Sequence, residues 1–542
     1  MLRRQERGGC RSAREAPFLE GADSRPSAGD LASPSGLHQY GITVAGQLRF
    51  AHRIRCGGSP ARYPNRDGTP PLPAGTRPHQ IDVEKCIYQL TMAFRQANED
   101  HTDTRRYIFL PRFACIRSGD PVQALGVPRG SVTTSVEDLV IIGAGPSGLA
   151  AANAAAHLDP LVIDAGPAQH QRMHLSPATA TQGVGGAGLF SDGKFSFWPS
   201  GTRLWQLDPD LLRQAYDWFR TQLSLFHEPV PPLPDASAID RRQAGEVHEK
   251  RYPSMHSTFE DRATMISRLS APIRRLTTGV HVSDLRREEK EWRLRSTDGT
   301  IRARKVLLAT GRYGPLLMRE VLPSHALRFL RLELGVRIEQ DASDFFLANH
   351  PQLDPKYLWR DDPHGVEWRT FCCCRDGLVV WTGFQDIHAA SGRADCPPTG
   401  RSNIGFNVRF VRPVEATAIW AHFVRTAARL HQPVITQLED FINAVARDTT
   451  DPMREALGSI AEARLAQGLC RLMQDFPKGR FKGATLIGPT LEGVGWYPIH
   501  DDFLYTQLPG LGVAGDAVGS FRGLTAALVS GYVAGLALSR RR

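Results

Sequence analysis

The chain has 542 residues, 41% hydrophobic and 23% charged, enough for two or three domains with sizeable cores and ordinary for a globular enzyme. No run approaches the roughly 18 uninterrupted apolar residues of a membrane helix, and nine scattered cysteines exclude a disulfide scaffold. The formal charge of +10 invites a nucleic-acid reading, but 19 Lys and Arg against 12 Asp and Glu lie in residues 1–135, so the remainder is close to neutral and no nucleic-acid partner is expected.

Residues 1–75 are rich in Gly, Pro, Ser and Arg without any sustained period, and such a segment cannot bury enough apolar surface to offset its ordering entropy. Residues 82–97 are predicted as one amphipathic helix and 106–116 as a short strand. Residues 1–135 together are expected to be a disordered basic extension, with Val132 reading as a natural start for the folded part of the chain. Arg3-Arg4 is not followed by an apolar run, so no secretion signal is expected and the location is taken as cytoplasmic.

From Glu137 the texture changes. DLVIIGAG is an apolar run ending in glycines, as a strand buried on both faces should be. An Ala-rich helix follows, Pro160 ends it, and LVID is a second short strand, so a βαβ unit opens a first segment at 136–200. Residues 208–226 and 259–272 read as helices within a helical insertion, 201–272. Three strands fill 273–320, with turns at RREEKE and Asp298-Gly299 and an end at Ala309-Thr310-Gly311. Residues 321–500 form a separate body of mixed pattern, and 501–542 read as strand, glycine turn and helix.

Gly143-x-Gly145-x-x-Gly148 stands where its mechanism needs it, after a strand and opening a helix through Pro146 and Ser147. The glycines permit a tight turn, close approach of a pyrophosphate and close helix–strand packing, with the phosphates on the helix N-terminus. Asp164 ends the second strand, 21 residues after Gly143, where a carboxylate can accept hydrogen bonds from an adenosine ribose. Together these point to dinucleotide binding. A second literal match, Gly183 to Gly188, lacks both the strand and the helix. It reads as a backbone loop that a flat ligand approaches closely at Gly186 and Gly188.

GVGGAGLFSDGKFSF, ATGRYG, TFCCC, SGRADCPPTGRSN and GVAGDAVGSFRGLTAALVSG, in this order, resemble the FAD-dependent dehydrogenases of glutathione-reductase-like topology. More narrowly, they are similar to the bacterial FAD/NAD(P)-dependent oxidoreductases with a GGAGxFSDGK loop. The resemblance covers roughly 136–542. It implies an α/β fold: a discontinuous Rossmann-like FAD-binding domain (136–200, 273–320 and 501–542) with an inserted α+β substrate or cap domain over 321–500.

The resemblance further implies that Gly143, Gly145, Gly148 and Asp164 hold the ADP half of FAD and that Gly311 lies on the return strand beside it. Asp516, after Gly515, would bind the ribityl and phosphate portion. The helix from Gly523 would aim its positive end at the flavin. Lys194 and Arg522 are candidate cations near the ring or a substrate anion, with exposed solubilising charge as the plainer reading. His388, Arg393, Arg401 and Asn403 lie in a polar loop-like stretch that either binds substrate or is solvated. His170 and His174 have no carboxylate partner in a zinc-site pattern and are taken as ordinary.

Cys372-Cys373-Cys374 on a strand would point to alternate faces, so no metal site is expected there. Buried thiols are the first reading and a redox role beside a flavin the second. A second strand–GxGxxG–helix unit, a CxxxxC pair and a DGxxSxxR segment are all missing from the sequence. The expected function is an FAD-dependent oxidoreductase, a dehydrogenase or reductase moving hydride between flavin N5 and a small-molecule substrate, with NAD(P)H as a candidate transient reductant. A flavin monooxygenase, a non-catalytic FAD-fold binding protein and, on charge alone, a nucleic-acid-associated flavoprotein stay open. No catalytic acid or base, no substrate and no oligomeric state is named by the sequence.

Overall fold

A strand apolar on both faces must be covered from both sides. Val136–Ile142 (β1) is so placed, with Leu139, Val140 and Ile141 buried and Leu161–Asp164 (β2) paired parallel beside it. The computed structural model describes residues 135–172, 181–201, 203–226, 229–234, 247–477 and 479–540. The basic extension up to residue 134, with the helix and strand expected in it, and His174 lie outside the described residues.

Lys194–Ser196 (β3) pairs antiparallel with Ser254–His256 (β5), while Val247–Lys250 (β4) leaves for a different sheet. Leu276–Thr278 (β6), Val282–Glu288 (β7), Glu291–Ser296 (β8) and Gly299–Leu308 (β9) return to the first sheet, whose order is β6-β2-β1-β9-β8-β7. A late strand, Leu511–Val513, adds in parallel to β9 opposite Val306–Leu308. Four parallel neighbours with a helical crossover after β1 make this a Rossmann-like α/β sheet, and its strands come from three separated stretches of sequence.

Helices cover it. Pro146–Ala154 (α1) follows β1. Pro209–Leu223 (α2) is capped by the Asp208 carboxylate, which accepts from Leu211 N at 3.0 Å, and Phe259–Ser270 (α3) by a reciprocal Thr258–Asp261 capping box. The segment expected to be helical, 201–272, therefore also contributes β4 and β5. Runs as short as VHEK and SMH are too brief for a period of two to declare itself.

The second sheet uses Leu327–Asp341 (β10), Lys356–Asp361 (β11), Val366–Cys374 (β12), Arg401–Phe410, Val434–Gln437 and Thr485–Pro498. Between β12 and Arg401, Leu378–Phe384 (β13) and Ile387–Arg393 (β14) make a separate hairpin. With Arg401–Phe410 as β15, Val434–Gln437 as β16 and Thr485–Pro498 as β17, the order is β16-β17-β10-β15-β12-β11-β4. Side chains alternate across it. Leu332, Leu334, Val336 and Ile338 on β10, with Ile404, Phe406, Val408 and Phe410 on β15, join a buried apolar cluster with Pro413–Ala427 (α4) and Ser459–Asp475 (α5). The alternate positions carry Glu333, Arg337, Asn403, Asn407 and Arg409 on the other face.

Leu524–Arg540 (α6) closes the first unit against α1. Gly531 and Gly535, one turn apart, put backbone against backbone: a Cβ would fall 2.1 Å from Ser147 O at the first and 2.4 Å from Ala151 O at the second. Among the described residues no helix is long and apolar enough to cross a membrane.

The core makes one fold prediction. A Cβ on Gly468 of α5 would lie 2.2 Å from the indole of Trp368, which is fully buried and donates to Arg464 O at 2.7 Å. Gly468→Ala overpacks this contact and is expected to destabilise by about 1–3 kcal/mol, read as a lowered urea midpoint at unchanged slope.

Candidate functional site

The β1–α1 turn is built by exclusion of side chains. Gly143 takes φ +107°, and a Cβ there would meet Ala309 O at 2.4 Å. At Gly148 a Cβ would sit 1.8 Å from Gly143 O, so α1 starts in contact with its own turn. Gly145 differs: its backbone is extended (φ −72°), and a Cβ would touch only Gly186 Cα, at 3.7 Å. No side chain caps α1, so its first amides face outward beyond Gly145.

The second glycine loop stands directly against the first, and Asp164 ties the two. One carboxylate oxygen accepts from Ala144 N at 2.7 Å, in the first turn. The other accepts from Gly166 N at 2.8 Å and from Gly183 N at 2.9 Å, at the head of the second loop. The buried guanidinium of Arg172 then holds the loop's carbonyls, donating to Val184 O at 2.6 Å and Gly186 O at 2.9 Å. Burial lowers the Arg172 pKa to about 10 against the opposing pull of Asp164. Asp164, expected to face a ribose, lines the cavity and also carries these three backbone bonds.

From this junction a cavity of about 670 Å³ runs to the polar face of the second sheet. Gly143, Gly145, Pro146, Ser147 and Asp164 line one end. Gly186, Gly188, Lys194 and Gly311 follow, then Asp516, Arg522 and Gly523. Gly148 and Gly515 lie behind the wall, and a Cβ on Gly515 would meet Ser147 Oγ at 2.5 Å. The first residues of α6 also line the cavity, with Thr525 Oγ1 buried there without a partner. Two glycine turns, the positive ends of α1 and α6 and an open Gly145 edge form a cradle that fits a phosphate-linked dinucleotide.

The two cations singled out from sequence are enclosed by carboxylates. Lys194 is buried between Asp192 (2.7 Å) and Asp354 (3.0 Å). Burial alone would lower the lysine and raise both acids, but the mutual charges win, so Lys194 titrates well above its usual range and the acids below theirs. Arg522 bonds Glu492 and, at 3.2 Å, Asp516, while Arg312 reaches Glu492 at 2.7 Å. Burial would raise Asp516, and Arg522 and then Arg312 hold it below the usual carboxylate range instead.

The cysteine run departs from the alternation expected of it. A register break between Phe371 and Cys374, with Cys372 at φ +48°, brings the sulfurs of Cys372 and Cys374 to 3.7 Å. Contact with Cys374 and burial push the Cys372 thiol up, and burial pushes Cys373 up to about 12. Arg393 lines the cavity and pairs with Asp395 at 2.8 Å; Asn403 accepts from Arg337 Nε at 2.6 Å. Arg401 turns to Glu339 and Asp341, and His388 stacks on Trp381. His170 is exposed. Sequence reading missed Arg172, Arg337, Asp354, Lys356, Arg369 and Glu492. The available signal was a charge at every second position of RLELGVRIE, which in a buried strand implies a polar face.

No family model matches the chain, and no curated protein matches it. Solved structures align at low similarity. A mutant of NikD, an unusual amino acid oxidase essential for nikkomycin biosynthesis, is 12% identical over 75% of this chain and 94% of its own, with a TM-score of 0.37. CtdE in complex with FAD is 10% identical over 73% and 82%, at 0.28. The 2,6-dihydroxypyridine-3-hydroxylase from Arthrobacter nicotinovorans is 12% identical over 71% and 78%, at 0.30. Likenesses this low carry no functional assignment, and the site stands on its own geometry.

Two substitutions test the site's framework. Asp164→Ala leaves three buried amides without an acceptor and is expected to cost about 2–4 kcal/mol, read by denaturant unfolding. Lys194→Met leaves two buried carboxylates short of a counter-charge and is expected to cost about 3 kcal/mol at neutral pH. Because the folded acids titrate below their unfolded values, their stabilisation is present above about pH 4 and lost below it. The variant's deficit should therefore shrink as pH falls through that range; a deficit constant with pH would refute this reading of the cluster.

Proposed function

We propose that this chain is an FAD-dependent oxidoreductase that moves hydride between the flavin and a small-molecule substrate, in the dehydrogenase or reductase sense, with NAD(P)H as a transient reductant. The observation that carries it is the pair of glycine turns tied by Asp164, opening onto a cavity that ends on a buried polar sheet face. In this reading residues 136–200, 273–320 and 501–542 supply the FAD domain, 321–500 supplies the substrate domain, and the location is cytoplasmic.

Gly143, Gly145, Pro146, Ser147 and Gly148 hold the pyrophosphate at the N-terminus of α1. Asp164 fixes the turn and stands beside the adenosine ribose. Gly186 and Gly188 bring bare backbone to the cofactor's flank. Gly311, Gly515 and Asp516 border the ribityl and phosphate portion. Gly523 places α6 end-on to the ring, where the helix field favours negative charge. Bound FAD supplies two-electron hydride chemistry at N5. Lys194 and Arg522, each clasped by acids, shape the walls and set a field of low net charge along the ring. The sheet excludes water from the reacting face.

Gly145 gives the sharpest test. Its φ of −72° accepts any residue, and its missing Cβ faces the cavity. Gly145→Val is expected to fold and to lose bound flavin by tenfold or more, about 1.4 kcal/mol or greater, read by absorbance of the purified protein. The wild-type protein should show the two bands of oxidised flavin, and anaerobic NADH or NADPH should bleach them. Bands that resist both nicotinamides place the reducing equivalents with the substrate. Coupled oxygen consumption and hydroxylated product would make it a monooxygenase, and a colourless protein that cannot be reconstituted with FAD refutes the reading.

A further inference from the structure

The cavity face of the second sheet holds more positive charge than its carboxylates match. Glu333, fully buried, is shared by three guanidiniums: Arg331 at 2.9 Å, Arg409 at 3.3 Å and Arg369 at 3.5 Å. Arg409 has a second acid, Glu367, at 3.0 Å, and Arg331 also donates to Gly519 O. Arg369 has the longest of these contacts, lines the cavity and keeps 25% of its side chain exposed. Lys356, also on the cavity wall, shares the single carboxylate of Asp354 with Lys194. Burial and neighbouring cations lower Arg369 to about 10, and burial lowers Lys356 as well.

Arg337 is the decisive member. It is fully buried and lines the cavity, yet it pairs with no carboxylate among the described residues. Its Nε donates to Asn403 Oδ1 and one terminal nitrogen to Cys372 O, both at 2.6 Å and both neutral acceptors. Its Nη1 has no partner. A buried guanidinium without a counter-charge is costly enough that proteins seldom keep one. On β10 and β12 Arg337 and Arg369 flank the stretch opposite Gly405 and Asn407 of β15, so both reach the same part of the cavity from neighbouring rows of the sheet. Beside them the wall is apolar: Phe371, Val380, and Phe384 stacked on Tyr313 with centroids 4.8 Å apart.

We propose that this wall is the substrate site and that the substrate is a carboxylate with an apolar body, its charged group received by Arg337 and Arg369 with Lys356 beside them, and its body lying against Phe371 and Phe384. The proposal rests on the flavoenzyme reading above. The cations act as binding residues here: they fix one end of the substrate so that its other end faces the reacting edge.

The full-length protein is titrated with benzoate and with its neutral isostere benzamide at constant ionic strength, following tryptophan fluorescence, thermal midpoint and flavin absorbance together. Benzoate is expected to bind about tenfold or more tightly than benzamide. Arg369→Gln should abolish that preference while the unliganded thermal midpoint holds or rises, because the arginine is under-compensated where it stands. Arg337→Met should do the same; if it does not fold, Arg369→Gln still decides. Equal or tighter binding of benzamide, or a preference that survives Arg369→Gln, overturns the proposal. A colourless protein that still prefers benzoate would sink the flavin reading and leave the anion wall intact, whereas a yellow protein without the preference would sink this proposal alone.

Discussion

The architecture turns on one carboxylate. Asp164 satisfies three backbone amides from three stretches of chain, the first glycine turn, its own following loop and the head of the second glycine loop. Amides in such tight turns have no ladder to join, and an unmatched buried amide costs as much as a lost hydrogen bond. One charged acceptor resolves all three and sets the spacing between two glycine loops. Arg172 completes the clamp from the carbonyl side, so the second loop is held by both its donors and its acceptors.

The second sheet shows the opposite economy. Its helix-facing side is an ordinary apolar core, while its cavity side buries Arg337, Glu333, Asn403 and Asn407 at almost zero exposure. Apolar residues of similar volume would stabilise this sheet at least as well. Charges kept at such positions therefore speak to what the cavity meets rather than to what holds the sheet together. The same strands thus do two jobs through their alternation, one face for cohesion and one for recognition.

What could be read from the sequence came from periodicity and from chain geometry. Gly143, Gly145 and Gly148 announced the turn through their spacing between strand and helix, and the strands around Asp298-Gly299 declared themselves by alternation and turn chemistry. The cysteine run was misleading because alternation presumes an unbroken ladder, and the break after Phe371 depends on partners supplied by β15. Arg337 and Arg369 were illegible for a related reason. An arginine on a strand looks solvated until a second layer is known to cover it, and that layer is built from residues distant in the chain.

The position of Leu511–Val513 has a consequence for synthesis. This strand lies beside β9, and α6 packs on α1 through Gly531 and Gly535, so the earliest folded segment of the unit waits for the latest to cover it. Chains emerge N-terminus first, and pairings this distant in sequence are slow to form. Until the last helix arrives, β9 presents a bare parallel edge and α1 an uncovered apolar flank. The nascent chain is thus a natural client for chaperones, and cofactor capture belongs to the moments after release from the ribosome.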